Sequence, residues 1–177
     1  MIRFLLIAIC IFPSFSIAGD TASCYQALTI WVDQKADMRT VIPALKIGAD
    51  DGDEVCAAFL GVALSDADYA RKENYVADLA EGFKYLKRAA MNSERLGAGI
   101  KGDIFYRLGL AYFEGSPVLQ NFRIAYSWFS LAAALGNSKA PAMRSRAFYL
   151  LGQSRMADGV QEFALRCKSS PILCLPE

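Results

Sequence analysis

The side chains that could do chemistry in this 177-residue chain are five cysteines and two groups of carboxylates; there is no histidine. Without imidazole, Ser-His-Asp and Cys-His nucleophilic catalysis and histidine general-base chemistry are closed. The cysteines lack the tight Cys-x-x-Cys spacing of zinc ligands, so no metal site is expected. Carboxylates remain. Asp50, Asp51, Asp53 and Glu54 form the densest acidic run, but they precede a helical pattern, where acidic side chains cap free amides and complement the helix dipole. Asp66 and Asp68 fall in a long polar stretch between Leu64 and Ala77 that reads as a solvated loop. No glycine-rich phosphate loop follows a strand and no Ser-x-x-Lys pair is evident. The expectation is a chain with no catalytic residues, no metal and no cofactor.

The cysteines point to a compartment. Met1-Ile2-Arg3, the apolar run from Phe4 to Phe12 and the small-residue end Ser16-Ile17-Ala18 read as a secretory signal peptide over residues 1–18, cleaved near Ala18/Gly19. The apolar run is too short to span a bilayer comfortably, so no stable membrane insertion is expected. Cleavage removes Cys10 and leaves Cys24, Cys56, Cys167 and Cys174, an even number that suggests disulfides with three possible connectivities. The favoured pairs are Cys24 with Cys56 and Cys167 with Cys174; the alternative for Cys56 is a small core residue. The formal charge of +1 falls to zero once Arg3 is lost, which gives no case for nucleic acid or an anionic membrane. A periplasmic or secreted protein follows, monomeric or weakly oligomeric.

These residues must be positioned by helices. In Phe122 to Ala133, positions 125, 128, 129, 132 and 133 fall on one stripe, with Trp128 and Phe129 supplying volume and the alanines room for close approach. Gly136 suits the left-handed end of that helix. Upstream, Phe105, Leu108, Gly109 and Tyr112 share a stripe, and Gly109 has no side chain where a partner helix would cross. Gly115-Ser116-Pro117-Val118 breaks the chain between the two helices. Self-similarity extends the pattern. Cys56 to Leu64 aligns with Ile104 to Tyr112, and Glu81 to Ala90 with Ile124 to Ala133. Gly82 then stands for Ala125 and Tyr85 for Trp128.

The run Leu108-Gly109-Leu110-Ala111-Tyr112-Phe113-Glu114-Gly115, followed by Val118, Ala125, Trp128, Ala132-Ala133, Gly136 and Ala140, resembles a Sel1-like repeat. The resemblance implies an all-α fold, a short right-handed α-solenoid of antiparallel helix pairs related to tetratricopeptide arrays. Residues 19–177 then form one domain. It holds a strong unit at 104–140, a weaker one at 56–92, a partial N-terminal unit at 24–52, a C-terminal cap at 140–168 and a disulfide-closed tail at 167–177. Val41 to Ala49 is the second helix of the partial unit, and Ala140 to Gln153 with Ala157 to Arg166, including Met156, close the array. Arg144, Arg146 and Arg155 suit the polar outer face that terminal units need.

Solenoids of this family usually bind proteins, so the resemblance implies a periplasmic interaction module for an envelope or secreted protein. The candidate surface is the face of the strong unit's first helix formed by Tyr106, Leu110 and Phe113, flanked by Arg107 and Glu114. Small exported members include immunity proteins against antibacterial effectors such as type VI secreted phospholipases, which is the alternative. A hydrolase of an envelope substrate is a second alternative, weakened by the missing nucleophile apparatus.

Overall fold

The computed structural model describes residues 24–29, 37–152 and 160–170. Among them the chain is all helix and turn, with no strand. Helix α1 is described over 24–29. It is followed by α2 (Met38–Asp50), α3 (Glu54–Leu64), α4 (Ala67–Lys72), α5 (Leu79–Met91), α6 (Ala98–Glu114), α7 (Phe122–Ala134), α8 (Ala140–Gly152) and α9 (Val160–Ser169). None of these is long and apolar enough to cross a membrane. Sequential neighbours pack: α3 lies against α2 and α5, α6 against α5 and α7, and α7 against α8 and α9. That is a helical solenoid, with α3/α5 and α6/α7 as its two full units.

Short polar residues start the helices. Asp37, Asp53, Asp66, Asp78 and Asn121 each accept hydrogen bonds from amides of the following first turn, satisfying donors that the helix itself leaves free. Asn137 does the same for α8, accepting from the Lys139 and Ala140 amides. Two turns need glycine: Gly115 and Gly136 hold φ of +74° and +87° after α6 and α7, a region costly for residues with a Cβ.

The expected core stripe is present. Ala125, Trp128, Phe129 and Ala132 are fully buried, while Ala133 sits partly exposed at its edge. A Cβ on Gly109 would lie 2.6 Å from the Phe129 ring, so the crossing read from the sequence is real and is filled by an aromatic. Cys24 and Cys56 form a disulfide, and Gly48 lies over it where any side chain would collide with both cysteines. Cys167 is buried and disulfide-bonded; Cys174, its expected partner, lies outside the described residues, as do Met156 and Arg155.

Three local expectations are corrected. The stretch from Leu64 to Ala77 is not a plain loop: Asp66 caps the single-turn helix α4, and Tyr75 donates its hydroxyl proton to the Ala63 carbonyl at 2.7 Å, folding the insertion back onto α3. Burial pushes the Tyr75 hydroxyl up to about 12. Asp50 does not cap; it accepts a 2.5 Å hydrogen bond from the Tyr85 hydroxyl, while Asp53 takes the Val55 and Cys56 amides of α3. The last helix runs past the expected Arg166 to Ser169, while the expected bounds Gln153 and Ala157 lie outside the described residues.

A candidate partner-binding groove

Helix α6 is covered on two sides. Phe105 stacks on Trp128, Tyr106 and Phe113 on Phe129, and Phe113 also on Phe122, all from α7; Tyr112 meets Phe83 of α5 edge-on. Buried in this way, the Tyr112 hydroxyl is pushed up to about 12. Among the side chains of α6 left at the surface or its edge, Asp103, Arg107, Leu110 and Glu114 recur every three or four residues and therefore share one face, with Tyr106 beside it.

Part of that face opens onto a groove. One hollow of about 370 Å³ is lined by Leu28, Met38, Leu45, Phe59, Val62, Ala63, Asp66, Tyr69, Arg107 and Lys139. A second, of about 360 Å³, is lined by Val62, Gly99, Asp103, Tyr106, Arg107, Leu135 to Ser138 and Lys139. Val62, Arg107 and Lys139 border both, so the two adjoin and run across both repeat units. The first is floored by apolar residues of α1, α2 and α3. The second has a polar rim.

Two polar struts fix the groove walls. Arg107 Nη2 donates to Asp66 Oδ2 at 2.6 Å while Asp66 Oδ1 accepts the Tyr69 amide, which ties α6 to the start of α4. Burial opposes ionisation of Asp66, but the Tyr69 amide and the Arg107 guanidinium outweigh it and hold the carboxyl below the usual carboxylate value. Asn137 Nδ2 donates to Asp103 Oδ1 at 2.9 Å. The same asparagine caps α8, so this strut ties α6 to the α7–α8 turn. Side chains held at both rims keep their positions before anything binds, which lowers the ordering cost of association.

Of the five residues expected to form a binding face, the structure brings Tyr106 and Arg107 to the groove. Leu110 and Glu114 line a third, much smaller hollow of about 50 Å³ beside Phe83 and Pro117, which meets the groove only at Arg107. Phe113 is no surface residue: it is 9% exposed, its ring against Phe122 and Phe129 and covered by the Arg146 guanidinium. The reason is Gly109, four residues earlier, whose missing side chain lets Phe129 of α7 come in and take up that face. The groove residues the sequence reading missed had one signal. In the repeat alignment Phe59 stands at the Arg107 position and Val62 at the Leu110 position. Leu28 and Lys139 had none.

A family model for the Sel1 repeat matches residues 57–94 and 106–137. These spans take in the body of α3 through α5 and most of α6 with α7. No curated protein and no solved structure matches the chain.

Proposed function

We propose that this chain, a Sel1-like repeat protein through residues 57–94 and 106–137, is an extracytoplasmic protein-binding module that seats a segment of another protein in the groove across α3 and α6. Sel1 repeats serve in general as protein-interaction modules, and a solenoid presents its ligand surface across successive units. The observation that carries the reading is the continuity of the two hollows through Val62, Arg107 and Lys139, because a surface spanning both units recognises an extended segment rather than a single small group. Its lining has the make-up of a recognition site, an apolar floor with a few placed polar groups. The buried Cys24–Cys56 disulfide supports a location in an oxidising compartment, in keeping with the leader-like residues 1–18.

The test is site-specific photocrosslinking in the cell of origin. Photoreactive residues at Val62 and Tyr106 should each trap the same protein, whereas one at Leu119, which is 91% exposed and lines neither hollow, should trap none. Equal trapping at all three positions, or none at any, would overturn the reading.

A further inference from the structure

The charges of the chain are unevenly placed. Residues 37–97 carry eight Lys or Arg against eleven Asp or Glu, whereas residues 98–152 together with 160–170 carry eight against three. Near-neutrality of the whole therefore conceals an acidic first half and a basic second half. At the basic end, α7, α8 and α9 enclose a hollow of about 320 Å³, away from the groove and sharing none of its lining residues. Leu131 and Ala134 of α7 form part of its floor, Tyr126 and Leu165 part of its walls, and Arg144 and Lys168 bring a cation from α8 and from α9. Among the described residues neither cation has an ion-pair partner. Leu165 is 67% exposed, a large apolar side chain left at the mouth of a hollow.

We propose that this hollow is a second docking site, independent of the groove, for an acidic segment of a partner protein that carries a bulky apolar side chain beside its carboxylates. The apolar floor takes the side chain, and the flanking cations of α8 and α9 take the carboxylates. A concavity of this size suits a side chain, because a lipid surface would meet a flat basic face more fully than a recess. Charge complementarity at an exposed rim sets selectivity and association rate more than raw affinity, so the preference for acid should be clear even where binding is weak, and salt should weaken it.

The probe is a random peptide library displayed against the purified chain with its disulfides intact. Enriched peptides are then titrated by fluorescence anisotropy. The enriched sequences should pair Asp or Glu with a bulky apolar residue, lose at least tenfold in affinity to the double variant Arg144→Glu/Lys168→Glu, and lose affinity to Leu165→Ala. Both variants change side chains at the surface or its edge, and unchanged thermal melting should confirm that they fold. Val62→Arg in the groove should leave these peptides unaffected. Several results would overturn the proposal: no enriched class, enrichment without acidic bias, affinity unchanged in the double variant, or binding of phosphatidylglycerol vesicles in place of any peptide. Peptides lost to Val62→Arg but kept by the double variant would remove this site while leaving the groove in place.

Discussion

The two full units solve one packing problem in different currencies. At equivalent positions stand Tyr85 in α5 and Trp128 in α7, both buried, at 2% and 0% exposure. Trp128 is surrounded by volume: its ring packs on Phe105, its neighbour Phe129 contacts Tyr106 and Phe113, and its indole nitrogen is buried without a hydrogen-bond partner among the described residues. Tyr85 is surrounded by charge. Its hydroxyl donates to Asp50, cations of Lys46, Lys84 and Arg88 lie over its ring, and Arg88 also donates to the Ala49 carbonyl. The glycines differ in step. A Cβ on Gly61 would meet the backbone nitrogen of Leu86 at 2.8 Å, and one on Gly82 the backbone nitrogen of Ser65 at 2.9 Å, whereas Gly109 faces only a ring. The weaker unit brings its two backbones together and fills less space with side chains; the stronger one holds its helices apart with aromatics. What a repeat preserves is therefore where helices cross, and the chemistry at the crossing is free to change.

The largest expected effect lies in the aromatic unit. Trp128→Ala empties a fully buried site and should cost roughly 3–5 kcal/mol, read as a fall in denaturant midpoint. The Tyr85→Ala counterpart should cost less, since its cavity opens toward Asp50 and Lys46 at the surface; equal losses would erase the contrast. Next comes the staple. Reducing Cys24–Cys56, which closes a loop across 32 residues, should cost about 2–4 kcal/mol and should loosen α1 and α2 first in hydrogen exchange. Protection lost uniformly along the chain would contradict that. Third, Gly61→Ala should cost about 1–3 kcal/mol as an overpacked crossing, and Gly109→Ala less, because a ring can shift where a backbone cannot. The reverse order of melting temperatures would show that the aromatic unit is the more rigid one.

The smallest effect is also the one with a pH signature. Burial, then the hydrogen bond to Asp50, raises the Tyr85 hydroxyl above its ordinary 10.0. A group with a raised folded-state value contributes stability that is complete below pH 10 and is lost as pH rises through the folded value. Tyr85→Phe should cost about 0.5–1.5 kcal/mol at neutral pH for the lost hydrogen bond and should flatten part of the alkaline loss. The rest of that loss is shared by Tyr75 and Tyr112, both pushed up to about 12, and by Tyr106 and Tyr25, which burial also raises. An alkaline unfolding curve identical to that of the unsubstituted chain would remove Tyr85 from the account.

Much of this was legible in the residues. The stripe of Ala125, Trp128, Phe129 and Ala132 has helical period, and Gly109 marks a crossing, so the helix pair and its core could be read locally. Helix α4 could not, because six residues are too few to show a period and only the capping Asp66 betrays it. The exposure of the expected face was only partly legible. Tyr106, Leu110 and Phe113 do share a stripe, but which neighbour covers a stripe is set by how α7 crosses α6. The groove was least legible, since Leu28, Val62, Arg107 and Lys139 come together from four places far apart in the chain.

The central claim is that the groove across both units, rather than the α6 face at Leu110 and Glu114, holds the partner. It is tested most directly by measuring affinity for the protein trapped from Val62 and Tyr106. Val62→Arg should weaken binding at least tenfold with melting unchanged, while the double substitution Leu110→Ala/Glu114→Ala should leave affinity within twofold. Full affinity in Val62→Arg, with the loss appearing in the Leu110/Glu114 variant, would contradict the account.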